Sequence, residues 1–460
     1  RFVYIKDLET NSLFSAPYEP VRASLDNFSF TAGQNDIRWR VTKNEVEITL
    51  RLTLSVSHAA ELWEIKVRNL SSSTKKLSIT PYFPVGYMSW MNQSGNFNST
   101  LNAVICRSVT PYQKYPDYFK NKHLNDLTYF LADRKPNSWE VRQSQFEGEG
   151  GLHAPSALNE NSLSNSDAIY ETPAATVQYK IELAPNESEQ YKFVFGPAKD
   201  DDEIANVKAH FIDDPAGFEN ANSAYAAYIS EGKSSLTIST PDPELDDFVN
   251  NWLARQVFYH GDVNRLSTDP QTRNYLQDNM GMNYIKPNIA RAAFLHALSQ
   301  QNRNGAMPDG ILLSEEAKLK YINQVPHMDH CVWLPVCISA YLDETNDYSL
   351  LTELISFADS KEQLPVLEHI SLAMSWLFEQ RDHRGLNFIE QGDWCDPMNM
   401  VGYKGKGVSG WLTLATAYAS NLWAEALSEL NRHEQASTFK ANAKACNDAV
   451  NKHIWSNNWY

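Results

Sequence analysis

The first part of the chain alternates apolar and polar residues with a period of two. In residues 46–56 every even-numbered residue is aliphatic and every odd-numbered residue is polar, which is the pattern of a strand that buries one face. Residues 177–183 and 191–195 also alternate, and the turn sequence at 185–188 predicts that they form a hairpin. Many strands and few helices predict a β-sandwich over residues 1–199.

From about residue 200 the pattern becomes helical. The four acidic residues 200–203 favour a helix N-terminus, and the Ala-rich stretch 218–229 has helical composition before Gly232. We therefore predict a helical linker over residues 200–239.

The rest of the chain shows helical spacing and no alternation of comparable length. Asp242, Pro243 and Glu244 form a helix start with a capping residue and a proline at the first helical position. Helix candidates begin near residues 244, 288, 330, 347, 364, 410 and 434. We predict an all-α domain over residues 240–460. A sandwich, a helical linker and an all-α domain are consistent with an (α/α) barrel enzyme, although periodicity does not distinguish a barrel from a bundle or a solenoid.

The composition of the chain limits the functions and partners that the protein can have. Among the 460 residues, 40 basic and 56 acidic side chains give a net charge of −16, which disfavours nucleic acid and anionic lipid as partners. The longest mostly apolar stretch, residues 331–342, is too short to span a bilayer, which needs about 20 residues. Five cysteines without a CxxC pair predict reduced thiols and a cytoplasmic location. Because Arg1 opens directly in strand-like sequence, we expect the chain to begin inside a longer protein.

One loop between helix candidates, residues 391–402, concentrates polar chemistry. It contains Asp393, Trp394 and Asp396. A carboxyl group beside an indole has its neutral form favoured by desolvation, as a general acid requires. The alternative is an ordinary surface loop in which both carboxylates bond the backbone. Spacing alone leaves both interpretations open.

A second polar segment, residues 272–281, is also expected to be a loop. Arg273 and Asp278 offer the donors and acceptors that bind adjacent sugar hydroxyls, but the residues alone favour an Arg273–Asp278 salt bridge. A third cluster contains His327, Asp329 and His330. These three residues lie within four positions at the start of a helix, where their side chains do not face one point. We therefore predict no metal site.

Taken together, these segments resemble glycoside hydrolase family 94, the inverting disaccharide phosphorylases. The resemblance covers nearly the whole chain. It depends on Arg273 with residues 275–278, on Gly392-Asp393-Trp394-Cys395-Asp396, on residues 405–411, and on Trp455 with residues 459–460.

The resemblance implies a fold and a set of roles. The fold is an N-terminal β-sandwich, linker helices and an (α/α)6 barrel, of which this chain contains only the first part. Asp396 is the expected general acid and Asp393 is structural. The residues expected to line the pocket for the non-reducing glucose are Arg273, Gln277, Asp278 and Trp394.

The implied reaction is inverting phosphorolysis of a β-1,4-linked glucosyl disaccharide to α-glucose 1-phosphate. Inorganic phosphate is the co-substrate, and no metal or organic cofactor is expected. Cys395, Pro397 and Val408 depart from the residues typical of cellobiose phosphorylases, which favours cellobionic acid over cellobiose as the substrate. The family pattern places the phosphate-binding residues after residue 460 and implies a homodimer.

Two other functions stay open at this point. An inverting glucosidase of the glucoamylase type shares the order of domains, but it needs a second carboxylate about 6.5–9.5 Å from Asp396 to activate water. A non-catalytic protein that binds glucan through the aromatic residues around Trp394 is the other alternative.

Overall fold

The computed structural model describes residues 1–86, 93–109, 125–233, 235–396 and 398–459. The chain divides into two compact units, residues 1–229 and residues 230–460. The first is rich in strands and the second in helices, which confirms the predicted fold class. The domain boundaries predicted at residues 199 and 239 stay predictions.

Two antiparallel sheets form the first unit. Its strands are β1 Phe2–Asp7, β2 Leu13–Ala16, β3 Asn27–Ala32, β4 Ile37–Lys43, β5 Val46–Leu54, β6 Glu61–Asn69, β7 Lys75–Pro84, β8 Ser94–Asn98, β9 Ala103–Val109, β10 Asn125–Ala132, β11 Ser138–Arg142, β12 Ala168–Ile169, β13 Pro173–Leu183 and β14 Ser188–Ala198. Over the described residues, one sheet has the order β11-β13-β7-β1-β2 and the other the order β12-β8-β9-β10-β14-β6-β5-β4-β3.

The period-two pattern of residues 46–56 corresponds to strand β5. Ile48 pairs with Val67 of β6, and Leu50 pairs with Ile65, and all four side chains are buried. They belong to a core that also contains aliphatic residues of the other sheet, such as Ile79 of β7. The apolar face of the alternation is thus the face between the sheets.

The predicted hairpin of residues 177–183 and 191–195 is wrong. Strand β13 pairs with β7 and β11, whereas β14 pairs with β6 and β10 in the other sheet. The turn does form, because the backbone NH of Glu187 donates to the carbonyl oxygen of Ala184. It carries the chain across the core instead of back along the same sheet. Residues 173–179 of β13 are buried on both faces. Other elements must therefore cover both faces of this strand, and a hairpin partner beside it in the same sheet does not do so.

Among the described residues of the first unit, three segments are α-helices: α1 Gln143–Glu147, α2 Asp201–Lys208 and α3 Gly217–Ser230, the last of which ends at the boundary. Helix α2 begins at the acidic run, as predicted, and the side chain of Asp200 caps it by accepting the backbone NH of Glu203 at 2.9 Å. Ile204 and Val207 pack in one cluster with residues of the nine-stranded sheet. Helix α2 therefore covers the outer face of the sandwich.

The second unit is mainly helical. Its helices are α4 Pro243–Asp247, α5 Ala254–Val263, α6 Thr272–Met282, α7 Pro287–Leu298, α8 Trp333–Thr345, α9 Val366–Glu379, α10 Asn399–Gly402, α11 Gly410–Glu429 and α12 His433–His453. Two short strand pairs join them: β15 Leu354–Ser356 with β16 Gln363–Pro365, and β17 Asn387–Phe388 with β18 Val408–Ser409. The cap predicted at Asp242 is present, since its carboxylate accepts the backbone NH groups of Glu244 and Leu245.

Two predictions about the second unit are wrong. The candidate helix near residue 347 is a 3-10 turn, Tyr348–Thr352, and the chain after it pairs as β15. The segment 272–281 is a helix, α6, and not a loop. Its buried positions recur at helical spacing, but Thr272, Arg273 and Asn279 occupy three of them, so hydrophobic periodicity did not reveal it.

None of the helices in the described part of the chain has both the length and the apolar character needed to cross a membrane.

Candidate active site

Arg273 lies at the centre of the site. It is located in the first turn of α6, and only 3% of its side chain is exposed. Its Nη1 donates to the backbone carbonyl oxygen of Asp393 and to Oδ1 of Asp329, the latter at 3.2 Å, and its Nη2 contacts Oδ1 of Asp396. The guanidinium carbon lies 5.4 Å from the centre of the Trp394 ring. The structure thus brings together three residues predicted from the sequence: Arg273, Trp394 and Asp396.

Trp394 lies between two other indoles. Its ring centre is 5.6 Å from that of Trp333, at the start of α8, and 6.4 Å from that of Trp411, in the first turn of α11. Trp394 remains 49% exposed. Exposed indole faces are suited to contact the apolar face of a sugar ring. The contact of Trp333 with Trp394 spans 61 residues of sequence, and no local pattern predicted it.

Asp329 connects the polar and aromatic parts of the site. It is fully buried, and its Oδ2 accepts the indole NH of Trp333 at 3.1 Å while its Oδ1 contacts Arg273. A buried carboxylate needs such donors to offset the loss of water. The sequence pattern suggested Asp329 only as a possible metal ligand and did not indicate this role.

Asp393 braces the loop that carries Asp396. Its Oδ1 accepts the backbone NH of Cys395 at 2.8 Å, and its Oδ2 accepts the hydroxyl of Ser409. The same hydroxyl caps α11 by accepting the backbone NH of Leu412 at 3.0 Å. The loop is therefore fixed to a helix end, which gives Asp393 the structural role implied by the resemblance and explains why Ser409 belongs to the same pattern.

Neither Asp278 nor Gln277 makes a hydrogen bond or an ion pair with Asp396. Asp278 binds the guanidinium of Arg265 through both oxygens, at 2.6 and 2.7 Å, so the alternative of an Arg273–Asp278 salt bridge is wrong. Five residues along an α-helix turn a side chain by about 140°, which is why the two charges of α6 point to different partners. Gln277 is half-buried on the same helix. Their contact with sugar stays a prediction.

A cleft of about 500 Å³ opens beside Asp396. Its wall includes Arg265, Lys320, His327 and Gln391. The Asp396 side chain is 64% exposed, so the desolvation expected from the neighbouring indole is not present in this arrangement. The carboxyl group is accessible to a molecule in the cleft.

His327 and His330 meet at Asp309. Asp329 faces away from them, as expected, but both histidines contact Asp309, with potential ligand atoms within 4.8 Å of one another. Hydrogen bonds account for this grouping. Oδ1 of Asp309 accepts the backbone NH of His327 at 2.9 Å and lies 3.1 Å from Nε2 of His330. The expected absence of a metal stays a prediction.

Asp269 holds the segment that forms one edge of the cleft. Its buried carboxylate accepts the backbone NH of Lys320 and the side-chain amide of Asn323, and it lies 2.9 Å from Nζ of Lys320. Burial by itself raises the pKa of Asp269, but these donors outweigh it and lower the pKa to about 2. The unfolded value is about 3.9. The ionised carboxylate therefore stabilises the fold above about pH 4, and this contribution declines as the pH falls toward 2.

We expect Asp269→Asn to lower the free energy of unfolding by about 2 kcal/mol at pH 7, because buried donors lose a charged partner. The difference between variant and parent should shrink as the pH falls below 4, which denaturant titrations at several pH values measure. Asp448→Asn removes an exposed ion pair with Lys444 and should change stability by less than about 0.5 kcal/mol. Equal effects of the two substitutions would contradict the prediction.

Two family models together cover nearly the whole chain. Residues 1–214 match the glycosyl hydrolase 94 supersandwich domain, and residues 228–460 match the catalytic domain of the glycosyl hydrolase 94 superfamily. The chain belongs to glycoside hydrolase family 94. This confirms the resemblance that the segments around Arg273, Asp396 and Ser409 indicated.

Two characterised phosphorylases are similar in sequence to the whole of this chain. Cellobionic acid phosphorylase of Neurospora crassa is 60% identical over 460 residues, which are 100% of this chain and 58% of that protein. A 3-O-β-D-glucopyranosyl-β-D-glucuronide phosphorylase of Paenibacillus borealis is 26% identical, over 100% of this chain and 60% of that protein. The chain thus spans about three fifths of the length of these relatives.

A bacterial glucoamylase in complex with acarbose has a similar structure, with a TM-score of 0.58 at 9% identity. The match covers 98% of this chain and 61% of the glucoamylase. At this identity the likeness shows a shared fold only. It agrees with the predicted sandwich followed by part of an (α/α)6 barrel.

Proposed function

We propose that the protein carrying this chain is an inverting phosphorylase that cleaves a β-1,4-linked glucosyl disaccharide, with cellobionic acid as the preferred substrate and cellobiose next. The observation that carries the proposal is the 60% identity, over every residue of this chain, to the Neurospora crassa cellobionic acid phosphorylase. The structure also supports the proposal, because it groups Asp396, Arg273 and Trp394 beside an open cleft.

The geometry suits Asp396 to act as the general acid. Its Oδ1 contacts Arg273 and lies near His327. Among the described residues, no hydrogen bond or ion pair involves its Oδ2. A proton on Oδ2 passes to the glycosidic oxygen as the bond from that oxygen to the anomeric carbon breaks. The acceptor sugar leaves as an alcohol.

Inorganic phosphate completes the reaction from the opposite face of the glucosyl ring. A phosphate oxygen forms the new bond to the anomeric carbon, which inverts it and yields α-glucose 1-phosphate. Phosphate is already an anionic nucleophile, so no second carboxylate has to activate it, unlike the water of an inverting hydrolase. Arg273 and Trp394 hold the glucosyl unit while the charge on its ring oxygen and anomeric carbon develops.

The test is a phosphate requirement. We expect the natural protein that contains this chain to release glucose 1-phosphate from cellobionic acid only when inorganic phosphate is present, and more slowly from cellobiose, as a coupled glucose 1-phosphate assay measures. Glucose released at the same rate without phosphate would establish a hydrolase instead. Sugar binding without turnover of either disaccharide would favour a non-catalytic protein.

We also propose a cytoplasmic homodimer that uses no organic cofactor. All five cysteines are free thiols, and four of them are buried, which supports a reducing compartment. The homodimer is proposed from the family resemblance alone. Sedimentation velocity of the natural protein decides the oligomeric state, and cell fractionation decides the location.

A further inference from the structure

His327 contacts the proposed acid from the inner wall of the cleft. Its Nε2 lies 3.5 Å from Oδ1 of Asp396. The histidine side chain is only 5% exposed, whereas that of Asp396 is 64% exposed. A rigid buried ring therefore lies against a carboxyl group that is otherwise accessible to solvent.

The orientation of the His327 ring is fixed by its other nitrogen. Nδ1 lies 2.8 Å from the carbonyl oxygen of Val325, a contact that requires a proton on Nδ1. This bond directs Nε2 toward Asp396. The other charged or titratable groups near the ring are Asp309, 3.9 Å from Nδ1, and His330, with its ring centre 5.9 Å away.

The backbone ties His327 to the loop that carries the acid. Residues 327 and 392 form a parallel β-bridge, in which the backbone NH of Met328 donates to the carbonyl oxygen of Gly392 at 3.1 Å. Gly392 also leaves space for the ring, because a Cβ atom there would lie 2.8 Å from Cδ2 and 2.9 Å from Nε2 of His327. The glycine of this loop therefore permits the close approach of histidine and acid.

We propose that His327 is a positioning residue for Asp396. Arg273 donates to Oδ1 and the His327 ring packs against the same oxygen, so that Oδ2 faces the cleft and the glycosidic oxygen. This inference rests on the proposed function, in which Asp396 is the acid. A misdirected carboxyl group slows proton transfer without weakening the binding of the sugar. A substitution of His327 should therefore lower kcat and leave KM unchanged.

Two amide substitutions test the roles of the two ring nitrogens of His327 separately. The Asn amide of His327→Asn extends only to the position of Nδ1, so the contact with Asp396 is lost. The longer Gln amide of His327→Gln extends to the position of Nε2, so that contact can form again. We expect His327→Asn to lower kcat for the disaccharide about 10-fold with little change in KM, and His327→Gln to regain most of it. His153→Asn is the control and should leave kcat unchanged, since His153 also bonds a backbone carbonyl through Nδ1, that of Pro20, at 2.7 Å.

A substrate that needs no acid separates positioning from folding. Fluoride leaves β-glucosyl fluoride without a proton, so His327→Asn should phosphorolyse it within about 2-fold of the parent. Gly392→Ala, which displaces the His327 ring, should show the same selectivity. An equal fall on both substrates, a change in KM alone, or an unchanged kcat for the disaccharide would overturn the proposal.

The crystal structure of the His327→Asn protein gives a readout without turnover. A carboxyl group of Asp396 that has rotated away from the cleft supports the proposal, and one that has not moved overturns it. A parent protein that forms no glucose 1-phosphate would refute the proposed function by itself, and the structural comparison would still decide the role of His327.

Discussion

Asp396→Asn is expected to reduce phosphorolysis of the disaccharide about 1,000-fold, the largest effect of any substitution considered. Asparagine has nearly the same shape but cannot donate the acidic proton that the leaving oxygen requires. Because the side chain is exposed at the cleft and bonded through Oδ1 only, the fold should be unaffected. Initial rates with saturating phosphate and thermal unfolding of the same sample measure both quantities.

The leaving group provides the control for Asp396→Asn. With β-glucosyl fluoride the variant should retain much of the parent rate, since no proton is needed. Asp393→Asn is the matched comparison: Asp393 accepts the Ser409 hydroxyl and a backbone NH, so this variant should lose stability and lower both rates in proportion. A fluoride rate that falls as far as the disaccharide rate would contradict the acid role of Asp396.

Arg273→Lys is expected to lower kcat/KM for the disaccharide about 100-fold although it keeps the positive charge. The guanidinium contacts Asp329, Asp396 and the carbonyl oxygen of Asp393 through two nitrogens, and an ammonium cannot reproduce this fork. Because Asp329 is fully buried, weakening its partner should also lower the melting temperature. Steady-state kinetics and calorimetry measure the two effects.

Arg291→Lys is the matched control for Arg273→Lys. Arg291 also binds two carboxylates, those of Asp347 and Glu353, at 3.1 and 2.6 Å, but it has no contact with the site. It should change stability by less than about 1 kcal/mol and leave kcat/KM within about 2-fold of the parent. An Arg273→Lys enzyme that is equally active would show that the fork is dispensable.

The sequence predicted correctly those strands and helix starts that are encoded by residues close together in the chain. The alternation of residues 46–56, the acidic helix start at residues 200–203 and the cap at Asp242 each describe one strand or one helix start, and the structure has them. The pairing of residues 177–195 depended on which sheet each strand joins, and this is decided by contacts with strands more than 90 residues earlier in the chain. Helix α6 was hidden because polar residues occupy buried positions that ordinarily carry apolar ones.

The site was predictable where it lay in one segment or matched a family pattern. Arg273, Trp394 and Asp396 do meet, although no spacing rule connects residue 273 to residue 396. The contacts of Asp329 with Arg273 and of His327 with Asp396 could not be predicted, because each joins segments that are distant in sequence. Asp309 likewise receives His327 and His330 from 18 and 21 residues away.

The single carboxylate of Asp329 has a consequence for how this pocket can evolve. It fixes Arg273 on one side and, through Trp333, the indole of Trp394 on the other. A substitution at residue 329 therefore changes the hydrogen-bonding wall and the stacking wall in one step. Lineages that adopt a different donor sugar are expected to exchange residues 273, 329 and 333 as a linked set.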